Sequence, residues 1–153
     1  MDDVALANYL TGLTPGPVEG ARLDRILAKV LGMAPGTPIW LSDYNLTKIR
    51  IKHPDIGFRE LCKLHVILAE WFIVRGQRHR RSIESCYFNP AGTLFTAAKL
   101  VLKATSASEV YLTTLHRLSL PEVKRVYRGA IRRGTLVRDL KIELARLLTA
   151  PVT

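Results

Sequence analysis

The sequence is short of cysteine, of acidic residues and of long apolar runs, and each shortage removes a class of function. Two cysteines, Cys62 and Cys86, are too few for a disulfide framework or a four-cysteine zinc site. Uninterrupted apolar stretches reach about four residues, far below the roughly 18 of a membrane span. The first ten residues, MDDVALANYL, are acidic where an export signal would be basic, so the expectation is a cytoplasmic protein without a membrane partner. The metal-holding spacings H-x-x-x-H and C-x-x-C do not occur, nor does a P-loop or a dinucleotide fingerprint, so neither metal nor cofactor is expected. Eleven aromatics (two Trp, five Tyr, four Phe) form no stacking repeat of the RNA-recognition kind.

What is present is apolar content and positive charge. Of 153 residues, 48% are hydrophobic, enough for a core, and 23 Lys and Arg face 13 Asp and Glu for a net charge of +10. Such a surplus favours a polyanion, nucleic acid before an anionic membrane surface. The charge is uneven: residues 1–36 sum to −1 and the remainder to +11. Together with the Pro/Gly punctuation at 13–17 and 34–38, this divides the chain into a helical preface (1–36), a main domain (37–135) and a last helix (136–153).

Periodicity supplies the elements. Leu23, Ile26, Leu27 and Val30 share a helical face that ends at Gly32. Ser42 is the expected N-cap of a helix to His53, stopped by Pro54, and a second helix is expected over 57–69. The period then shortens. Strands are predicted at 71–74, 82–88, 94–104 and 109–117, joined by short connections and therefore antiparallel. Pro121 starts a basic helix to about Arg133, Gly134 ends it, and a last helix is expected over 136–148. The predicted fold class is α+β: N-terminal helices, a four-stranded antiparallel meander and C-terminal basic helices.

Two basic clusters stand out. Arg75, Arg78, Arg80 and Arg81 crowd one hairpin, and Lys124, Arg125, Arg128 and Arg132 crowd one helix with little but Glu122 among them. Either they form solvated faces or they contact phosphates, which position a nucleic acid without specifying its sequence. His53 lies at a helix end flanked by Lys52 and Arg50, so it is either a base kept neutral by its cationic neighbours or a histidine stabilising the helix dipole. Lys99 and Lys103 share a strand face with Val101, and either snorkel outward or aim an ammonium into a cleft. Regular alternation places His116 with Leu112 and Thr114, and Arg117 opposite unless a bulge re-aims it. His65 reads as a packed or surface histidine, and His79 as part of the arginine cluster.

Trp40-Leu41-Ser42, His53-Pro54, Val101-Leu102-Lys103-Ala104-Thr105 and Tyr111-Leu112-Thr113-Thr114-Leu115-His116-Arg117, in that order, resemble the phage-associated nuclease domains of the barnase/EndoU/colicin/RelE-like fold. The resemblance covers about residues 39–133. It implies a metal-independent ribonuclease with its active site on the meander sheet, often a toxin module of phages or bacterial conflict systems, for which a cognate inhibitor is a natural partner. Carried onto this chain, it assigns His53, Lys103, Thr114 and Arg117 to the site, with His116 between the last two; the glutamate of barnase-like members has no counterpart. A site of this composition can take the 2′-OH proton, protonate the 5′-oxygen and hold the phosphate with cations. The alternatives are a nonenzymatic nucleic-acid-binding module built on the arginine-rich helix, and a protein-interaction domain that docks through its acidic preface.

Overall fold

A computed structural model describes residues 3–69, 71–76, 81–93, 95–106 and 108–149. Helix α1 (Asp3–Leu10) is followed by strand β1 (Val18–Arg22), α2 (Arg25–Leu31), β2 (Pro38–Leu41) and α3 (Asp43–Lys52). Two short helices, α4 (Phe58–Leu61) and α5 (Leu64–Leu68), lead to β3 (Phe72–Arg75), β4 (Ser82–Phe88), β5 (Ala97–Ala104) and β6 (Val110–Arg117). The chain closes with α6 (Leu120–Arg133), β7 (Leu136–Arg138) and α7 (Ile142–Thr149). This is the expected α+β class, but the sheet is not a four-stranded antiparallel meander. It has seven strands in the order β1-β2-β6-β5-β4-β3-β7, and it is mixed, because β2 runs parallel to β6.

The three additional strands have physical reasons that simple periodicity hides. Strand β1 is five residues long and contains Gly20, so it carries almost no alternation signal; it pairs antiparallel with β2. The residues expected as a helical preface thus supply an edge strand, and Leu6, Tyr9, Leu27 and Leu31 are buried in one cluster with Leu100 and Leu112. Strand β7 occupies part of the expected last helix. Gly134 closes α6 in the left-handed region (φ 68°), and Leu136–Arg138 then covers the edge of β3, whose backbone groups would otherwise lack a ladder. The Arg138 guanidinium secures this strand, donating to the Trp71 carbonyl at 2.8 Å, the Leu68 carbonyl at 2.7 Å and Asp24 Oδ2 at 3.1 Å. The helix expected over 57–69 is interrupted at Cys62 and Lys63, where Lys63 N–H bonds three residues back to the Glu60 carbonyl at 3.0 Å. Helix α3 starts as predicted, with Ser42 Oγ accepting from Asn45 N–H at 3.2 Å.

Both sheet faces are apolar over β3 and the 86–88 end of β4; over β5 and β6, and at Ser82 and Glu84 of β4, the second face is mostly polar. On the first face, Ile73, Ile83, Leu100, Leu102, Leu112 and Leu115 pack against the N-terminal helices and α5. On the second, Phe72, Val74, Cys86, Phe88 and Ala97 pack under α6 and α7 with Val123, Tyr127 and Leu148. The rest of that second face, on β5 and β6, carries Lys99, Val101, Lys103, Tyr111, Thr114 and His116, all half-buried.

A one-residue bulge sets this arrangement. Leu102 pairs with Leu112, but Val101 pairs with Thr114, leaving Thr113 as the extra residue. The bulge shifts the alternation of β6 by one, so Leu112 and Leu115, three apart, both reach the core. His116 therefore does not share a face with Leu112, as regular alternation requires. It lies opposite Lys99 on the open face.

Candidate active site

Three elements converge on His116. It comes from the end of strand β6; His53 comes from the C-cap of α3; and α6 begins four residues after His116. The two imidazoles stack with ring centroids 4.7 Å apart and planes inclined by 26°. His53 leaves the helix with φ −133° and ψ 72°, enforced by Pro54, and its N–H still bonds to the Ile49 carbonyl at 2.7 Å. The Asp43–Lys52 helix thus delivers His53 to the stretch of β6 beyond its short pairing with β2.

The electrostatics favour a neutral His116. Burial pushes its pKa below the ordinary 6.5, and Lys99 and His53 push the same way, while Glu122 and Asp55 partly oppose them. Its Nδ1 is buried without a hydrogen-bond partner among the described residues. Two imidazolium rings stacked this closely would repel, which again favours the neutral form of His116. Lys99 Nζ lies 3.9 Å from Glu84 Oε1, with both side chains partly open to water, leaving the ammonium available to an incoming anion. Glu122 is held in a reciprocal cap at the start of α6: its N–H donates to Ser119 Oγ at 3.3 Å and its Oε1 accepts from Ser119 N–H at 3.0 Å. Those bonds hold its carboxyl below the usual range.

The structure gathers some of the expected residues and separates others. His53 and His116 meet. Thr114 stands two residues from His116 on the same face, opposite Val101. Lys103 shares that face but pairs with Ser82 and Tyr111, four residues along β5 from Lys99, a separation of roughly 13 Å. Arg117 points to the other face, since the bulge at Thr113 shifts Thr114, His116 and Arg117 alike and leaves the alternation among them unchanged. Its guanidinium bonds Asp55 Oδ2 and Glu60 Oε1, each at 3.0 Å, and lies 4.8 Å from the Phe95 ring centroid. Glu60 is buried, and its other oxygen accepts from Gly57 N–H at 3.0 Å, so Arg117 acts there as a counter-ion.

The basic residues also divide. Lys124, Arg125, Arg128 and Arg132 line a groove of about 540 Å³ along α6, although Arg128 Nε also donates to the Leu148 carbonyl at 3.0 Å. Arg75 ends β3, separated from β6 by β5 and β4, and Arg81 Nε donates to the Leu31 carbonyl at 3.2 Å. Arg78, Arg80 and His79 lie outside the described residues. Among the described residues, no three His, Cys, Asp or Glu side chains gather as metal ligands, and no helix is long and apolar enough to cross a membrane. Residues that sequence reasoning left out of the site are Lys99 and Glu122. The first was visible as a lysine among strand hydrophobes; only the register of β5 against β6 selects it over Lys103.

No protein family, no curated protein and no solved structure matches this chain.

Proposed function

We propose that the protein is an endoribonuclease that cleaves RNA by attack of the 2′-OH on the adjacent phosphorus. The observation that supports this reading best is the His53–His116 stack beside Lys99, on the uncovered half of the sheet and next to the α6 groove. The resemblance to barnase/EndoU/colicin/RelE-like domains supports the same reading and makes the protein a toxin or effector module with a cognate inhibitor as partner.

In this reaction the 2′-oxygen–phosphorus bond forms and the phosphorus–5′-oxygen bond breaks, giving a 2′,3′-cyclic phosphate and a free 5′-OH. Neutral His116 takes the 2′-OH proton, because its depressed pKa leaves it unprotonated near pH 7. His53 gives a proton to the departing 5′-oxygen. In-line displacement needs these two groups on opposite sides of the phosphorus, so the stack parts when the phosphodiester enters. His53 is the ring that moves, since it sits on a non-helical cap, whereas His116 is fixed in the ladder. Lys99 neutralises charge developing on the phosphoryl oxygens, and Thr114 orients one of them.

The test is incubation of the purified protein with RNA in EDTA. Fragments ending in 2′,3′-cyclic phosphate are expected, and His116→Ala should lower their rate of formation by a factor of about 10²–10⁴ while RNA affinity changes little. RNA bound but left intact by the native protein would favour the nonenzymatic binding module, whose observable basis is the α6 groove alone.

A further inference from the structure

We infer that the cavity between the β4–β5 pair and the start of α6 is a nucleobase pocket, which takes the base of a nucleotide flanking the cleaved phosphodiester. The choice of RNA as substrate rests on the ribonuclease reading; the pocket's shape and chemistry do not. The cavity measures about 500 Å³. Phe88 and Ala97, opposite each other in the ladder, line it, only 4% and 3% exposed. Leu120 and Leu147 also line it but remain 49% and 50% exposed, a large apolar area left in water. The polar side chains among its lining residues are Thr96 and Lys124.

An occupant must therefore be apolar over most of its surface and anionic at one end. Two continuities choose the nucleotide. Ala97 lies two residues before Lys99 on the same strand face, and Lys99 pairs with His116, so the cavity adjoins the histidine pair. Leu120 and Lys124 also line the α6 groove, so the cavity opens onto the row of Lys124, Arg125, Arg128 and Arg132. A phosphodiester chain running from Lys99 to that groove passes the cavity mouth, where one base can turn in. Apolar and aromatic walls bind bases by their faces, and a hydroxyl such as that of Thr96 can address a base edge.

The experiment titrates the full chain with each of the four nucleoside 5′-monophosphates, and separately with inorganic phosphate, while methyl NMR signals of Ala97, Leu120 and Leu147 are followed. Saturable shifts of these methyls with at least one nucleotide, and none with phosphate, are expected. Leu120→Trp, at a half-exposed position that tolerates the larger ring, should fill the mouth. It should weaken that nucleotide's binding roughly 5- to 150-fold, the span of one lost base stack. Methyl signals unmoved by all four nucleotides would overturn the pocket, as would equal shifts with phosphate alone. A Leu120→Trp variant that still cleaves RNA at the same sequences would overturn it too, while leaving the ribonuclease reading intact. Nucleotide shifts at the pocket without RNA cleavage by the native protein would support the pocket and remove the ribonuclease.

Discussion

The second face of the sheet is two surfaces joined at β5. Over β3 and the 86–88 end of β4 it presents Phe72, Val74, Cys86 and Phe88, and α6 with α7 covers them. Over β5 and β6 it presents Lys99, Lys103, Thr114 and His116, and among the described residues no helix packs over them to form a core. The strands are continuous hydrogen-bonded neighbours, so backbone geometry does not distinguish the halves. Side-chain chemistry does. A helix laid over Lys99 and His116 would have to desolvate both, at a cost no apolar contact there offsets. The half left open is thus the half able to meet a charged ligand.

That comparison can be broken from either side. The largest effect should come from the covered half: Phe72→Ala removes a fully buried ring packed edge-on against Tyr127, and should lower unfolding free energy in urea by about 3–5 kcal/mol. Cleavage per folded molecule should not change. On the open half the pattern should invert. Lys99→Met should leave the melting temperature within a degree or two, since the Glu84 pair is partly solvated, yet reduce the cleavage rate by roughly 10²–10³. Lys103→Met should only flatten the log–log salt dependence of RNA binding by about one contact. If Lys103→Met slows cleavage as much as Lys99→Met does, Lys99 loses its special place.

A smaller effect sharpens the boundary between site and scaffold. Arg117→Leu leaves the buried Glu60 without its guanidinium and should cost about 1–3 kcal/mol in denaturant titration, with the cleavage rate per folded molecule retained. The smallest effect is in pH. Because His116 has its folded-state pKa below 6.5, the unfolded chain binds its proton first as pH falls. Its contribution to stability is complete above 6.5 and is lost as pH drops from 6.5 toward the lower folded value. Difference curves of urea midpoint against pH, native minus His116→Asn, should show this loss below pH 6.5. The acid limb of kcat/KM should inflect below 6.5, and Lys99→Met should move it upward.

Much of this was legible in residues, and the misses share one cause. Ser42, Gly32, Pro121 and Gly134 mark helix ends by local chemistry, and the helices over 25–31, 43–52 and 120–133 stand at those marks. Strand β1 and strand β7 are short and weakly patterned; they exist because sheet edges at β2 and β3 need partners, and no local window contains that information. His53 and His116 were both recognisable as candidates, 63 positions apart. That they stack, and that Lys99 rather than Lys103 joins them, depends on pairing register between β5 and β6, which is a tertiary quantity. The apolar spacing in β6 did carry a trace of it: Val110 and Leu112 are two apart, Leu112 and Leu115 three, a change of step that regular alternation cannot bury.

The extra residue at Thr113 makes the site sensitive to strand register as well as to composition. In that strand a point substitution alters one side chain and leaves its neighbours in place. A slip of one residue that seats Thr113 opposite Val101 removes the bulge, and Leu115 rather than His116 then falls opposite Lys99. Every downstream residue exchanges faces at once: leucine enters water, histidine enters the core, and the ion-pairing arginine at 117 swings to the open side. Thr113 can therefore be deleted with the pairing of Thr114, Leu115 and His116 intact, whereas a slip of one residue exchanges the chemistry of the two faces.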